Sequence, residues 1–253
     1  MAKDRRLLLA ATDAAVVVPP ARRVMSPMSR LFATLMIDSS GSTVQSGGLA
    51  ATVAALPGFR ASVLANERLS RRLEWSVVTF SDDVTVLREF GPIAEWEVPS
   101  SIAGGRGTAL GTAIQAGLRR HAAHVKRLAE KGIGLHHGFM LLVTDGYPTG
   151  EDSARYDEAV RMVRDAEKDR FAFFSIGMEG ADFAKLGLLT PNRQPLQLAS
   201  VGHFSQLMSW VLDSLVAVEN SIVGEEVPLS NPLVASDPAK GWAKIPGGLP
   251  QEE

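Results

Sequence analysis

The sequence predicts an α/β fold: a doubly wound, mostly parallel sheet with helices on both faces, giving three layers. Three observations carry that expectation. Leu31 to Ile37, Trp75 to Phe80, Phe139 to Thr144 and Phe171 to Ile176 are short, almost wholly apolar runs, each ending at a polar or glycine-rich turn. Strands apolar on both sides belong to sheets buried between two helical layers. Helix-length segments separate these runs, as crossovers between parallel strands require. The third observation is an exception: Val84 to Phe90 follows Phe80 after only Ser81, Asp82 and Asp83, which is hairpin spacing. One antiparallel edge strand is therefore expected.

Taken in order, residues 1–30 form a basic extension. Lys3, Arg5, Arg6, Arg22, Arg23 and Arg30 face only Asp4 and Asp13, and Pro19, Pro20 and Pro27 favour extended backbone. The compact domain is expected over 31–223. Its helical segments are Leu49 to Leu73, Ala109 to Lys131, Ser153 to Lys168 and Phe204 to Ser221. In the second, Leu110, Ile114, Leu118, Ala122, Val125 and Leu128 recur every three to four residues, the spacing of one helix face. Leu196 to Val201 is a weaker strand. Residues 224–253 form a tail in which Pro228, Pro232, Pro238, Pro246 and Pro250 oppose long helices.

Composition narrows the function. The chain has 253 residues, 45% hydrophobic and 21% charged, with a mean hydropathy of +0.06. That balance suits a packed globular core, not a disordered or fibrous chain. A net charge of −2 provides no global field for nucleic acid. With no cysteine, disulfides, thiolate metal sites and cysteine nucleophiles are excluded together. No run approaches the roughly 18 uninterrupted apolar residues of a membrane span. Lys3, Arg5 and Arg6 before Leu7 to Ala11 have the start of a secretory signal, but Asp13 interrupts it and no clear cleavage site follows. A cytoplasmic location is the expectation.

The chemistry collects where strands of such a sheet end, the usual side for ligands. Leu35-Met36-Ile37 leads into Asp38-Ser39-Ser40-Gly41-Ser42, and Leu141-Leu142-Val143-Thr144 leads into Asp145-Gly146. Between them Gly104-Gly105-Arg106-Gly107-Thr108 opens the second long helix, its glycines expected to take tight, positive-φ turns. Hydroxyls and carboxylates without His or Cys suit a hard divalent cation, Mg²⁺ first, with Mn²⁺ or Ca²⁺ as alternatives. Ser40 and Ser42 stand two apart, so one turn aims both hydroxyls at one ion, with Gly41 relieving crowding between them. Asp38 and Asp145 supply charge, directly or through bound water.

These residues make the sequence resemble the von Willebrand factor A (VWA) family and its metal-ion-dependent adhesion site. That family's D-x-S-x-S, loop threonine and post-strand aspartate match Asp38, Ser40, Ser42, Thr108 and Asp145. The likeness runs from about Leu31 to Gly224 and implies the Rossmann-like VWA fold. The segments Arg106 to Gly111, Val143 to Thr149, Phe171 to Gly177 and Gly224 to Leu229 look most like the bacterial TerY-type subgroup linked to tellurite resistance. Thr43 departs from the methionine frequent in relatives and is expected to alter the site's rim. The resemblance implies that the serines and threonine bind the metal directly, that the aspartates often act through water, and that a partner's Asp or Glu completes the shell. It implies a non-enzymatic interaction module in a stress response, partnered by a tellurium-resistance-type protein, a kinase or a phosphatase.

Other readings stand beside this one. Asp and Ser crowd turns for local hydrogen bonding, so a loop-only role is the structural alternative. An Mg²⁺-dependent phosphohydrolase using Asp38 and Asp145 is the enzymatic one, opposed by the lack of a nearby His or Lys; Arg106 is the cation close by. Gly105-Arg106-Gly107 fails the nucleotide fingerprint because Gly111 comes one position late. His121 and His124 on a helix and His136-His137 in a loop read as solvated histidines, and no G-x-S-x-G elbow surrounds a serine. Phe80, Phe139, Phe171, Phe173, Phe174 and Trp210 are expected in the core. Trp96 and Trp242 fit interface anchors or core caps equally well.

Overall fold

In a computed structural model of the chain, the structure describes residues 29–145, 148–168, 171–178, 180–190, 193–221 and 243–244. A seven-stranded sheet runs through the middle of the fold in the order β3-β2-β1-β4-β5-β6-β7. These strands are β1 (Arg30–Asp38), β2 (Leu73–Phe80), β3 (Val84–Pro92), β4 (Leu135–Thr144), β5 (Phe171–Gly177), β6 (Leu196–Leu198) and β7 (Ala243–Lys244). β1 pairs in parallel with both β2 and β4, β4 with β5, and β5 with β6. The expected antiparallel edge is β3, which pairs back on β2 from Phe80↔Val84 to Glu74↔Pro92. At the opposite edge, two residues of the proline-rich tail form β7, antiparallel to β6. Proline content opposes helices but leaves a two-residue bridge open, so composition did not reveal it. Residues 1–28 and Trp242 lie outside the described residues, as does most of the tail.

The apolar strands bury both faces. On one side Leu31, Ala33, Leu35 and Ile37 of β1 pack with Leu56, Phe59 and Val63 of α2 (Gly48–Ala65) and Leu207, Val211 and Leu215 of α7 (Phe204–Asn220). On the other, Met36, Val78 and Met140 meet Leu110, Ile114 and Leu118 of α4 (Leu110–Glu130). That layer also holds Tyr156 and Val160 of α5 (Ser153–Ala166) and Leu186 of α6 (Phe183–Leu189). By length and composition α2 is apolar enough to cross a membrane, with a mean hydropathy of 1.4. Its apolar stripe is instead committed to this core.

The predicted helix over 49–73 is two helices. α2 ends at Ala65, and Asn66 caps α3 (Glu67–Arg72) by accepting a hydrogen bond from Leu69 N–H at 3.0 Å. The side chain of Asn66 satisfies a first-turn amide that a continuing helix would have bonded internally. A five-residue helix, α1 (Gly41–Gln45), occupies what the sequence reads as loop. All six aromatics expected in the core are buried, and Trp96 joins them at 2% exposure, 5.9 Å from the Trp75 ring. Core cap, not interface anchor, is the outcome for Trp96.

The histidines overturn their expectation. His121 and His124 are buried under β1 and β3: Phe32 lies 4.8 Å from the His121 ring, and Phe90 stacks on His124 at 4.3 Å. His136 belongs to β4 and not to a loop, and it too is buried. Imidazole is flat and mostly carbon, so an aromatic cleft accepts its neutral form. For His121 that environment pushes the pKa down to about 3, through desolvation first and the nearby His124 second.

Candidate metal centre

The candidate residues converge at the carboxyl end of β1 and β4. These neighbours keep register through Ile37↔Val143, which places Asp38 beside Thr144 at the strand ends. Each oxygen of the Asp38 carboxylate accepts one hydrogen bond and keeps a lone pair for another ligand: Oδ1 accepts from Ser40 N–H at 2.8 Å and Oδ2 from the Thr144 hydroxyl at 2.5 Å. Burial nevertheless pushes its pKa up to about 6; the hydrogen bonds from Thr144 and Ser40 oppose the rise, and the charge of Asp145 adds to it. Asp145 follows β4 directly and is 9% exposed. Its Oδ1 is buried and has no hydrogen-bond partner among the described residues.

Ser40 precedes α1, and the turn of that helix brings the Ser40 and Ser42 hydroxyl oxygens to 3.1 Å from each other. Ser40 is buried while Ser42 is exposed, so the hydroxyl pair leads from the interior to the surface. Gly41 is not there to relieve crowding: a side chain at that position would meet only Gly105 O, at 3.5 Å. Thr43 is not on the rim. It is fully buried, and its hydroxyl donates to the carbonyls of Ser40 (2.8 Å) and Asp38 (3.1 Å), locking the turn from beneath.

Thr108 reaches this edge through its loop. Gly105 N–H donates to Ser39 O at 2.9 Å and Ala109 N–H to Ser81 O at 2.8 Å, while Thr108 and Thr149 exchange both backbone hydrogen bonds. The glycines here do not take positive φ, contrary to expectation; the described positive-φ glycines are Gly47, Gly132, Gly150 and Gly180. Close approach is the reason instead. A Cβ on Gly105 would stand 2.3 Å from Ser81 Oγ and 2.6 Å from Asp82 Oδ2.

Asp82 is a contributor that sequence reasoning missed. Its two carboxylate oxygens each accept a hydrogen bond at 2.8 Å, from Arg106 N–H and Gly107 N–H, and these hold it below the usual carboxylate range. The 81–83 turn was legible as a turn, but nothing local says which distant loop it grips. Glu151 plays a similar part at α4, accepting from the amides of Gly111 (2.6 Å) and Thr112 (3.1 Å). Every backbone amide from Gly105 to Thr112 is thus spent inside the protein. A phosphate cradle needs such amides free, so this loop opposes nucleotide binding and supplies no backbone donors for the oxyanion of a phosphohydrolase.

What remains is a set of oxygen donors around a charge deficit. Two buried carboxylates share one edge, one with an unpartnered oxygen, and no Lys or Arg forms an ion pair with either among the described residues. Burying a second like charge without a counter-ion is costly. A divalent cation held by Ser40, Ser42, Thr108 and the two aspartates would remove that cost. The residues therefore fit the implied metal.

Comparisons with known proteins agree with this architecture. A family model described as the von Willebrand factor type A domain matches residues 34–212. No curated protein matches the sequence. Among solved structures the chain is similar to the pilus adhesin SpaC from Lactobacillus rhamnosus GG in an open conformation: TM-score 0.59, 14% identity, over 75% of this chain and 30% of that one. It is similar to a von Willebrand factor type A structure from Catenulispora acidiphila at a TM-score of 0.54 and 14% identity, covering 75% of this chain and 43% of that one. It also resembles mussel byssus proximal thread matrix protein 1 with a zinc-occupied MIDAS (metal-ion-dependent adhesion site) motif, at a TM-score of 0.50 and 17% identity, over 74% and 48% of the two chains. The chain spans less than half the length of each of these neighbours. At such identities the likeness is one of fold.

Proposed function

The chain belongs to the von Willebrand factor type A domain family, and from that membership we propose that it is a metal-dependent protein-recognition module, not an enzyme. Asp38, Ser40, Ser42, Thr108 and Asp145 hold Mg²⁺, or Mn²⁺ or Ca²⁺ in its place, and an Asp or Glu of another protein supplies the last ligand. Neutral hydroxyls in the shell leave the ion electrophilic enough to attract that carboxylate. The observation that carries the reading is the buried Oδ1 of Asp145, unpartnered among the described residues, at the strand end next to the still more buried Asp38. The sequence segments similar to the TerY-type subgroup support a bacterial, cytoplasmic stress-response setting. A tellurium-resistance-type protein, a kinase or a phosphatase is then the partner.

Calorimetric titration of the chain with MgCl2, together with thermal melts with and without EDTA, tests the metal. Saturable binding and a chelator-reversible rise in Tm are expected, both lost in Asp145→Ala. Affinity capture from the native host, with and without chelator, tests the partner. Capture that persists undiminished in EDTA would overturn the reading, and so would phosphoester turnover that depends on Asp145.

A further inference from the structure

The rim around the candidate metal is unevenly charged, and one side chain there is uncommitted. Arg106 is exposed and makes no ion pair or side-chain hydrogen bond among the described residues. Its backbone is nevertheless fixed, because Asp82 accepts from its amide at 2.8 Å and from that of Gly107. The loop that carries it lies against the metal-side turn. Gly105 N–H bonds Ser39 O, and a Cβ on Gly104 would stand 2.5 Å from Val44 Cγ2. A cation on a long side chain therefore springs from a rigid base beside Gly41 and the half-exposed Val44.

We propose that Arg106 determines partner specificity, pairing with a second carboxylate next to the one that reaches the metal, so that the recognised element is a doubly acidic segment of another protein. This rests on the metal-capture reading above. Charge complementarity commits the rim to that chemistry. The loop amides from Gly105 to Thr112 are internally bonded, so this loop offers a second anion no backbone donors. What it offers is the Arg106 guanidinium, whose planar fork matches a carboxylate. The acidic neighbour that feels its charge is Asp82 of the β2–β3 turn. Both Asp82 oxygens already accept from the amides of Arg106 and Gly107, so an incoming carboxylate competes with a group that is bonded elsewhere.

The test uses the full chain in MgCl2 and capped glycine peptides carrying one aspartate, or two aspartates separated by one, two or three glycines, followed by NMR titration. For the best spacing, the doubly acidic peptide is expected to bind about five- to tenfold tighter than the single-aspartate peptide. That advantage should shrink at high salt, since the contact is exposed. In Arg106→Gln it should vanish while single-aspartate affinity and Mg²⁺ affinity do not fall. Equal affinities at every spacing, or an advantage that survives Arg106→Gln, would overturn the proposal and leave metal capture standing. Absence of Mg²⁺-dependent binding for all peptides would overturn both.

Discussion

The two ends of the central sheet treat buried charge in opposite ways. At the amino end, Arg72 donates to Ser29 O at 2.9 Å, to Glu219 Oε1 at 2.6 Å and to the Ser29 hydroxyl, and lies 2.6 Å from His136 Nε2. Arg68 adds a second cation to Glu219 at 2.5 Å, and His124 Nε2 lies 2.8 Å from Glu74 Oε2, an interaction that holds Glu74 below the usual carboxylate range. At the carboxyl end Asp38 and Asp145 stand at the ends of adjacent strands, and neither forms an ion pair with Lys or Arg among the described residues. The first arrangement is complete in itself. The second is complete only with something added, and that contrast separates a structural cluster from a binding site when both are polar and buried.

The contrast breaks most visibly at Glu219, which is 2% exposed and ties α7 to α3 through Arg68 and Arg72. Removing one partner of a buried ion pair leaves the other charge uncompensated, at a cost of roughly 3–5 kcal/mol. Glu219→Ala should lose about that much in urea unfolding, while the molecules still folded keep their Mg²⁺ affinity. Asp145→Ala should do the reverse. It removes a ligand and a source of repulsion, so metal-free stability should hold or rise, while Mg²⁺ affinity in calorimetry falls about a hundredfold or more. A large loss of metal-free stability in Asp145→Ala would place that carboxylate among the self-sufficient ones.

Acid titration sharpens the same contrast because the two ends carry shifts of opposite consequence. Asp38 has a folded pKa of about 6 against 3.8, so the folded state prefers the proton. Its contribution is full below about 3.8 and is lost as pH rises through 6. His121 has a folded pKa of about 3 against 6.5, so the folded state rejects the proton, and stability falls as pH drops below 6.5. Between pH 4 and 6 the two slopes oppose each other. In EDTA, Asp38→Asn should therefore be more stable than the parent at pH 8 by about 3 kcal/mol, a gain that disappears by pH 4. A gain of equal size at both pH values would mean that the side chain's shape, not its charge, carries the effect. Metal binding follows the complementary rule: protons compete for Asp38, so Mg²⁺ affinity should decline as pH falls below 6 and level off above it.

How much of this was legible in the sequence depends on how local each feature is. Asp38, Ser40 and Ser42 sit within five residues of a strand end, and Asp145 follows another strand directly, so pattern and chemistry coincide. The spacing of Leu110, Ile114 and Leu118 fixed α4 to within a residue at each end because its buried face is periodic. The break at Asn66 carried a readable cap that the continuous apolar run around it obscured. Burial of His121 and His124 was hidden, since residue type alone argues for solvent and only Phe32, Phe90 and Phe171 from three different strands make the aromatic cleft. The glycines of the Thr108 loop were read for backbone freedom, whereas their role is to let another chain segment come close.

Asp82 is where the contrast between the two ends is finest, because it does at the metal end what Arg72 does at the other, yet from a fully solvated position. Its carboxylate bridges two consecutive amides, Arg106 and Gly107, 24 and 25 residues away in sequence. Those bonds set the path of the chain into Thr108, which also leans on Thr149 and Ser39 through backbone hydrogen bonds around it. With Ser81 O also accepting from Ala109 N–H, losing one of four tethers should loosen the threonine without releasing it. Asp82→Ala should therefore weaken Mg²⁺ by about tenfold at most, the lower end of what supporting residues contribute to a metal site. Asp82→Asn keeps one acceptor oxygen for an amide and should fall between the two. If Asp82→Ala matched Asp145→Ala in its loss, the loop would depend on this one carboxylate, and Thr108 would have to be counted as positioned from the β2–β3 turn and not from its own strand-like bridge to Thr149.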